Sequence, residues 1–466
     1  MKEDNENYLE EDNTAEVVKR FETNFNLGKS IFFDVFEFEK IIDYYLNEEN
    51  LPTADKALEM ALKIYPNSLE LLLKKADYFQ LKENYKEAIE ILEYIEKIDS
   101  SNPDLYMQMG ESLYYLKQTN QSISAFDKSA SLSGDESVDI LYRISNFFLD
   151  EDEINLALRY LIASYKIDST NLSVLFDMGY CYERNSEFDK SIKFYNEYLD
   201  INPFSASVWY NLGIIYAKTG EFEKSLECYD FCTAIDPKYS SAYNNKGNTL
   251  ATLERYEDAV KVFLELSELE PENPRVFALI GECYERTGNL EKALDNYNKS
   301  IVIDPDFAEG YYGIGMVMIQ RQKYDISLNF INRAITLDSN QFDFWMGLGR
   351  TQFELNNIEE AVKAYREATV LNPDEPDGYL ALAEVLLFQE KFCEVETLVD
   401  ELNPKFNANA SIKVINAAAL YLSHKQKEAL EILRIAKQID PSSISDFINL
   451  VSINNDDDFI KEVNLL

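Results

Sequence analysis

His424 is the single histidine of the chain, so any imidazole chemistry must be built there. A Ser or Cys nucleophile needs such a base within hydrogen-bond reach, oriented by a third group. His424 falls in a short polar stretch between two apolar runs, where a surface turn is the plainer reading. Cys228 and Cys232 lie four residues apart and would share one face of a helix. Zinc would need two more nitrogen or sulfur ligands close by, and the neighbouring sequence offers no such pair. Both are therefore read as packing residues. The other cysteines, Cys181, Cys283 and Cys393, form no CxxC pair, and an odd total does not make a disulfide framework. Reduced thiols are expected. No G-x-S-x-G, P-loop or dinucleotide-binding glycine run is present. Carboxylates are abundant, but abundance is not a matched acid–base pair. The sequence points away from an enzyme, a metal and a cofactor, and toward binding.

The elements that position these residues recur with a fixed period. Residues 206–239 read ASVWYNLGIIYAKTGEFEKSLECYDFCTAIDPKY, with Trp209, Leu212-Gly213 and Tyr216 at W-x2-L-G-x2-Y spacing and Pro237 closing the stretch. Counting outward gives repeats starting at residues 35, 69, 103, 138, 172, 206, 240, 274, 308, 342, 376 and 410. Every step is 34 residues except the third, which is 35, with the extra residue near Gly134-Asp135-Glu136. The eighth place holds a small residue (Gly110, Gly179, Gly213, Gly247, Gly281, Gly315, Gly349, Ala383) in all but the first repeat, where Ile42 stands. The twentieth place is also small (Ala54, Ala88, Ser122, Ser191, Ser225, Ala259) and is read as the matching close-approach site on a second helix. Large rings such as Trp209, Tyr243, Tyr311 and Trp345 hold the fourth place. Pro66, Pro203, Pro237, Pro271, Pro305, Pro373 and Pro441 end repeats, since proline cannot continue a helix. Gly220 and Gly288 mark the turn inside a repeat, where a left-handed backbone is expected.

With these residues the chain resembles the tetratricopeptide repeat family, whose unit is a helix–turn–helix of about 34 residues. The resemblance covers nearly the whole chain. It implies an all-α, right-handed superhelical solenoid of about twelve repeats over residues 35–443, with a C-terminal capping helix over 444–466. Residues 1–34 form an acidic segment, disordered over 1–12, with a capping helix near Val17, Val18, Phe21 and Phe25. The resemblance also implies that places 2, 5, 6, 9, 12 and 13 of each repeat line a concave groove that takes a peptide or helix. The candidate groove residues are Tyr142, Tyr180, Tyr210, Asn211, Lys218, Asn244, Asn245, Asn248, Arg275, Glu282, Arg286 and Tyr312. Asn supplies donors and acceptors together, and Tyr and Arg are common interface anchors. Acids outnumber bases on the same places, Asp77 and Glu111 against Lys74 and Arg143 among them. The family's clamp for a C-terminal carboxylate is matched at two of five places, Asn245 and Arg275; Tyr210, Ile214 and Leu279 fill the rest. A segment bound along the groove fits better than that clamp.

Charge narrows the partners. The chain of 466 residues has 44 Lys and Arg against 84 Asp and Glu, a net charge of −40. That opposes a nucleic-acid backbone and anionic lipid, and favours a basic protein segment. No apolar run is long enough to span a membrane, and the N-terminus lacks the order of a signal peptide, so a cytoplasmic location is expected. The first reading is an interaction scaffold, monomeric or part of a larger complex. The second is an assembly component joined through its apolar ends, Ile31–Phe38 and Phe459–Leu466.

Overall fold

The structure is a computed structural model, described here for residues 14–23, 32–451, Phe459 and Val463. The expected disorder of residues 1–12, the start of the apolar run at Ile31 and most of the C-terminal tail lie outside these residues. Among the described residues every regular element is helical. The chain divides between Val208 and Trp209 into two compact units, each built from consecutive helix pairs.

In the N-terminal unit, α1 covers residues 14–23. The pairs that follow are α2 (Val35–Asn47) with α3 (Leu51–Ile64), α4 (Leu69–Leu81) with α5 (Tyr85–Glu96), and α6 (Pro103–Tyr115) with α7 (Thr119–Leu132). Then come α8 (Ser137–Asp150) with α9 (Ile154–Ile167), and α10 (Leu172–Arg184) with α11 (Phe188–Ile201). The unit boundary falls inside α12 (Ala206–Lys218), which pairs with α13 (Phe222–Ile235). The C-terminal unit continues with α14 (Ser240–Thr252), α15 (Tyr256–Leu269), α16 (Pro274–Arg286), α17 (Leu290–Ile303), α18 (Ala308–Gln320) and α19 (Tyr324–Leu337). It ends with α20 (Phe342–Glu354), α21 (Ile358–Leu371), α22 (Pro376–Phe388), α23 (Phe392–Phe406), α24 (Ala410–Leu422), α25 (Gln426–Ile439) and α26 (Ser443–Val451). The first helix of each pair starts where the 34-residue period puts it, within one residue at Ser137. The inserted residue is taken up by a 3₁₀ turn at Gly134–Glu136.

A close approach explains the eighth-place glycine, though its partner differs from the expected one. A Cβ on Gly213 would lie 2.5 Å from the Tyr229 ring, and one on Gly179 the same distance from Tyr195. The glycine therefore makes room for a large ring at the twenty-fourth place, not for the small residue at the twentieth. The twentieth-place serines do something else. Ser122, Ser191 and Ser225 are fully buried and donate to the carbonyls of Gly110, Gly179 and Gly213 at 2.7, 2.6 and 2.8 Å. Each hydroxyl satisfies itself on the helix the ring packs against.

The turns share one backbone. Gly220 and Gly288 have φ of +79° and +76° as expected, and ten non-glycine residues stand in the same place of the other repeats with φ from 52° to 65°. His424, at 65°, is one of them. Each turn closes with a hydrogen bond to the carbonyl five residues back, for example Glu221 to Tyr216 and Lys425 to Leu420, both 2.8 Å. This is the Schellman end, and its bonds hold the left-handed residue whatever the side chain.

Fourth-place rings tie each repeat to the loop before it. Tyr243 and Tyr311 donate to the carbonyls of Pro237 and Pro305 at 3.4 and 3.1 Å, and the Trp345 indole donates to Ser339 at 2.8 Å. At the N-terminal end, Val17, Val18 and Phe21 of α1 are buried with Phe33, Phe38 and Tyr45, while Phe32 and Phe36 stay exposed. At the other end α26 packs on α24, and Phe459 stacks on Tyr421 at 4.6 Å. Phe459 and Val463 are buried, so these two tail side chains serve the chain's own core.

Two stability outcomes follow. Gly213→Leu overpacks against Tyr229 and should cost at least about 1–3 kcal/mol in urea unfolding. Glu254→Gly removes a side chain from a left-handed turn and should raise stability by up to about 1 kcal/mol, where the same change inside α15 lowers it.

Candidate functional site

First helices of neighbouring repeats touch one another: α2 with α4, α4 with α6, α16 with α18, α18 with α20, and α22 with α24. They form a wall in each unit, and the places expected to line a groove fall on it.

In the C-terminal unit that wall carries two neighbouring cavities. One, of about 330 Å³, is lined by Tyr210, Asn244, Asn245 and Arg275, with Glu270, Asn273 and Leu279. The other, of about 320 Å³, is lined by Asn248, Glu282 and Arg286, with Tyr256, Phe263 and Leu279. Leu279 borders both, so seven of the twelve residues named from sequence meet here, Tyr210 from α12 and the other six from α14 and α16. Their places recur every 34 residues, and side-by-side first helices turn that recurrence into adjacency.

The first cavity is partly ordered by its own bonds. Asn245 Nδ2 donates to the Tyr210 hydroxyl at 3.2 Å, and the Tyr210 ring lies 5.0 Å from Tyr239. Asn273 Oδ1 caps α16 by accepting from the Arg275 amide at 3.1 Å, while its Nδ2 donates to Glu270 at 2.7 Å. The Arg275 guanidinium is exposed and pairs with no carboxylate among the described residues. Arg286 stands 3.9 Å from Glu282, one turn away on α16. Amide groups, a phenol and two guanidinium groups can bind a polypeptide backbone and acidic or amide side chains. They carry no nucleophile–base pair.

The other five residues lie elsewhere. Asn211 is half-buried on α12 and Lys218 is exposed at that helix's end; neither lines these two cavities. Tyr312 packs on Phe344 with ring centroids 4.8 Å apart, and burial raises its phenol. Tyr142 and Tyr180 belong to the N-terminal unit. Tyr142 bonds to Asp177 across α8 and α10, which with burial raises its phenol. Tyr180 accepts from Arg184 at 2.9 Å. Four of the five thiols are buried, and burial pushes Cys181, Cys228, Cys232 and Cys283 up to about 12, far from a thiolate at neutral pH. No group of metal-ligating side chains is found among the described residues.

Two features escaped the sequence-based choice of site. Glu285, beside Glu282, is largely buried; it accepts from Tyr297 Oη at 3.0 Å and Gln320 Nε2 at 2.7 Å, joining α16, α17 and α18. Burial raises its carboxyl. The second is a cavity of about 440 Å³ in the N-terminal unit, lined by Glu39, Glu70, Lys74, Asp77, Asp104, Gln108, Glu111 and Arg143. Its signal was register: second, sixth and ninth places of successive repeats are charged or amide-bearing.

Models of the tetratricopeptide repeat match residues 172–205, 206–239 and 240–273, and a TPR repeat model matches 282–320 and 349–389. The chain is a tetratricopeptide repeat protein. No curated protein matches it. Among solved structures, this TPR chain is similar to the MamA protein, at 21% identity over 36% of this chain and 92% of that one, with a TM-score of 0.34. It is similar to YrrB, described as a TPR protein with an unusual peptide-binding site, at 20% identity over 40% and 95%, TM-score 0.31. A TPR protein from Parabacteroides merdae matches at 18% identity over 53% and 98%, TM-score 0.44. Among the described residues, no helix is long and apolar enough to cross a membrane.

Tyr297→Phe tests the buried network. It keeps the ring beside Gly281 and removes a donor from Glu285, and should cost about 1–3 kcal/mol in urea unfolding at neutral pH.

Proposed function

We propose that this TPR protein is a non-catalytic scaffold that holds a segment of a partner protein along the first-helix wall of its C-terminal unit. The observation carrying this reading is the pair of cavities that meet at Leu279. Tyr210 supplies a stacking face, Asn244, Asn245 and Asn248 supply paired donors and acceptors, and Arg275 and Arg286 supply charge. Such spaced polar groups suit an extended backbone, whose amides and carbonyls recur at every residue. The net charge of −40 favours a partner that is basic outside the bound segment. Free thiols, four of them buried, fit a reducing compartment such as the cytoplasm.

A second reading, assembly through the N-terminal end, is favoured by Phe32 and Phe36, which are 71% and 60% exposed. Light scattering of wild type and of Phe32→Ser/Phe36→Ser separates the two: an oligomer that the substitutions dissolve supports assembly, and a monomer in both removes it.

Affinity capture from a lysate tests the scaffold reading. Asn245→Ala/Arg275→Ala should weaken the captured partner by tenfold or more, about 1.4 kcal/mol per factor of ten, with thermal unfolding unchanged. High salt should lower recovery of basic partners. Equal recovery by wild type and variant would remove the cavity from the reading, and equal recovery at both salts would remove the charge.

A further inference from the structure

The charged cavity of the N-terminal unit contains a seam in which one buried amide oxygen lacks a partner among the described residues. Asp77 on α4 accepts from Gln108 Nε2 on α6, and Glu111 on α6 accepts from Gln80 Nε2 on α4 at 3.4 Å. The bases nearby are committed elsewhere: Lys74 pairs with Asp43 at 2.7 Å and Arg143 with Asp104 at 3.1 Å. Two largely buried carboxyls therefore face each other's helix with only amides for donors. The other oxygen of the pairing, Gln108 Oε1, is buried and has no donor among the described residues. A proton on Asp77 supplies one. With the Gln108 amide turned over, a protonated Asp77 donates to Oε1, so a bond between the two helices is kept while the buried charge is removed.

We propose that the α4–α6 seam is a proton-operated switch: protonation of Asp77 and Glu111 closes the two first helices on each other, and ionisation loosens them. Asp77 faces Asp43 from α2, Lys74 from its own helix, and Asp104 and Gln108 from α6. Glu111 faces Asp77 and Gln80 from α4 and Arg143 from α8, and Glu39 and Glu70 line the same cavity. Carboxylates outnumber the two bases here, so the surroundings favour the neutral forms. Burial, with these neighbours, raises Asp77 to about 6 and Glu111 to about 7.

The sign follows. In the unfolded chain both groups titrate near about 4, so the folded unit holds more protons between there and neutrality. The stabilisation is full at the acidic end and is lost as pH rises through about 6 to 7. Ionisation through that range also restores two negative charges to the wall.

The test is peptide-resolved hydrogen–deuterium exchange on the full chain at about pH 5.5 and pH 8, corrected for intrinsic exchange. Peptides of α4 and α6 should be more protected at the lower pH in wild type. Asp77→Asn/Glu111→Gln, whose amides mimic the protonated groups, should be protected at both. Glu87→Gln/Glu90→Gln, which removes two exposed carboxylates from α5, should keep the wild-type response and so sets aside general relief of charge repulsion. The same pH response in wild type and Asp77→Asn/Glu111→Gln overturns the proposal. If that variant does not fold, carbon-13 carboxyl titration of wild type decides: midpoints for Asp77 and Glu111 in the ordinary carboxylate range overturn it, and raised midpoints support it.

Discussion

The fold depends on a contact between a missing side chain and a ring. Within a pair, the first helix offers bare backbone at Gly110, Gly179, Gly213, Gly247 and Gly349, and a ring from the second helix lies on it. Interior packing leaves no slack for an added methyl there, so the ring fixes both the distance and the rotation of the two helices. At Ser122, Ser191 and Ser225 the twentieth-place hydroxyl bonds the same glycine's carbonyl and fixes the axial register as well. Once rotation is set, the faces left over are determined. Places 2, 5, 6 and 9 of the first helix are turned away from that glycine contact, and they become wall.

That chain of consequence explains what the sequence discloses and what it hides. The period is legible because the glycine and its neighbours admit few substitutes. The twenty-fourth place is less legible because Phe, Tyr and Ile331 all serve, while the twentieth place, mostly Ala or Ser, is the more regular signal beside it. The turns are least legible. Twelve share one left-handed backbone, yet only Gly220 and Gly288 announce it, since backbone hydrogen bonds specify the conformation and leave the side chain free. Nothing in the period marks the division between Val208 and Trp209, which falls inside a helix that carries the W-x2-L-G-x2-Y spacing.

The candidate site follows the same logic. Tyr210, Asn244 and Leu279 are far apart in sequence, and stacking of first helices brings them to one cavity. Tyr142, Tyr180 and Tyr312 satisfy the same place rule, but each is engaged with a neighbour in its own unit: Asp177, Arg184 and Phe344. Place alone states which way a side chain points; whether it is available depends on what the next repeat presents. The family supplies the frame and not the ligand. A partner has to be argued from the polar groups that remain uncommitted, and Arg275 is the clearest of these.

The charge is best understood through where the bases are committed. Lys128 reaches Glu96, Arg159 reaches Asp127, Arg255 reaches Glu223 and Lys425 reaches Glu396, each linking a repeat to the one before. Exposed pairs of this kind contribute about 0–1 kcal/mol apiece, so they are weak as stability but consistent as pattern. Their larger effect is on what is left. Bases drawn into contacts between repeats leave a surplus of carboxylates, whose field extends over about 8 Å at physiological ionic strength. A repeat array stabilised by apolar contacts between neighbours can tolerate that self-repulsion, since its core does not rely on charge. The acidity is then free to act on what approaches the wall, and Arg275, set among amides and a phenol, becomes its most selective point.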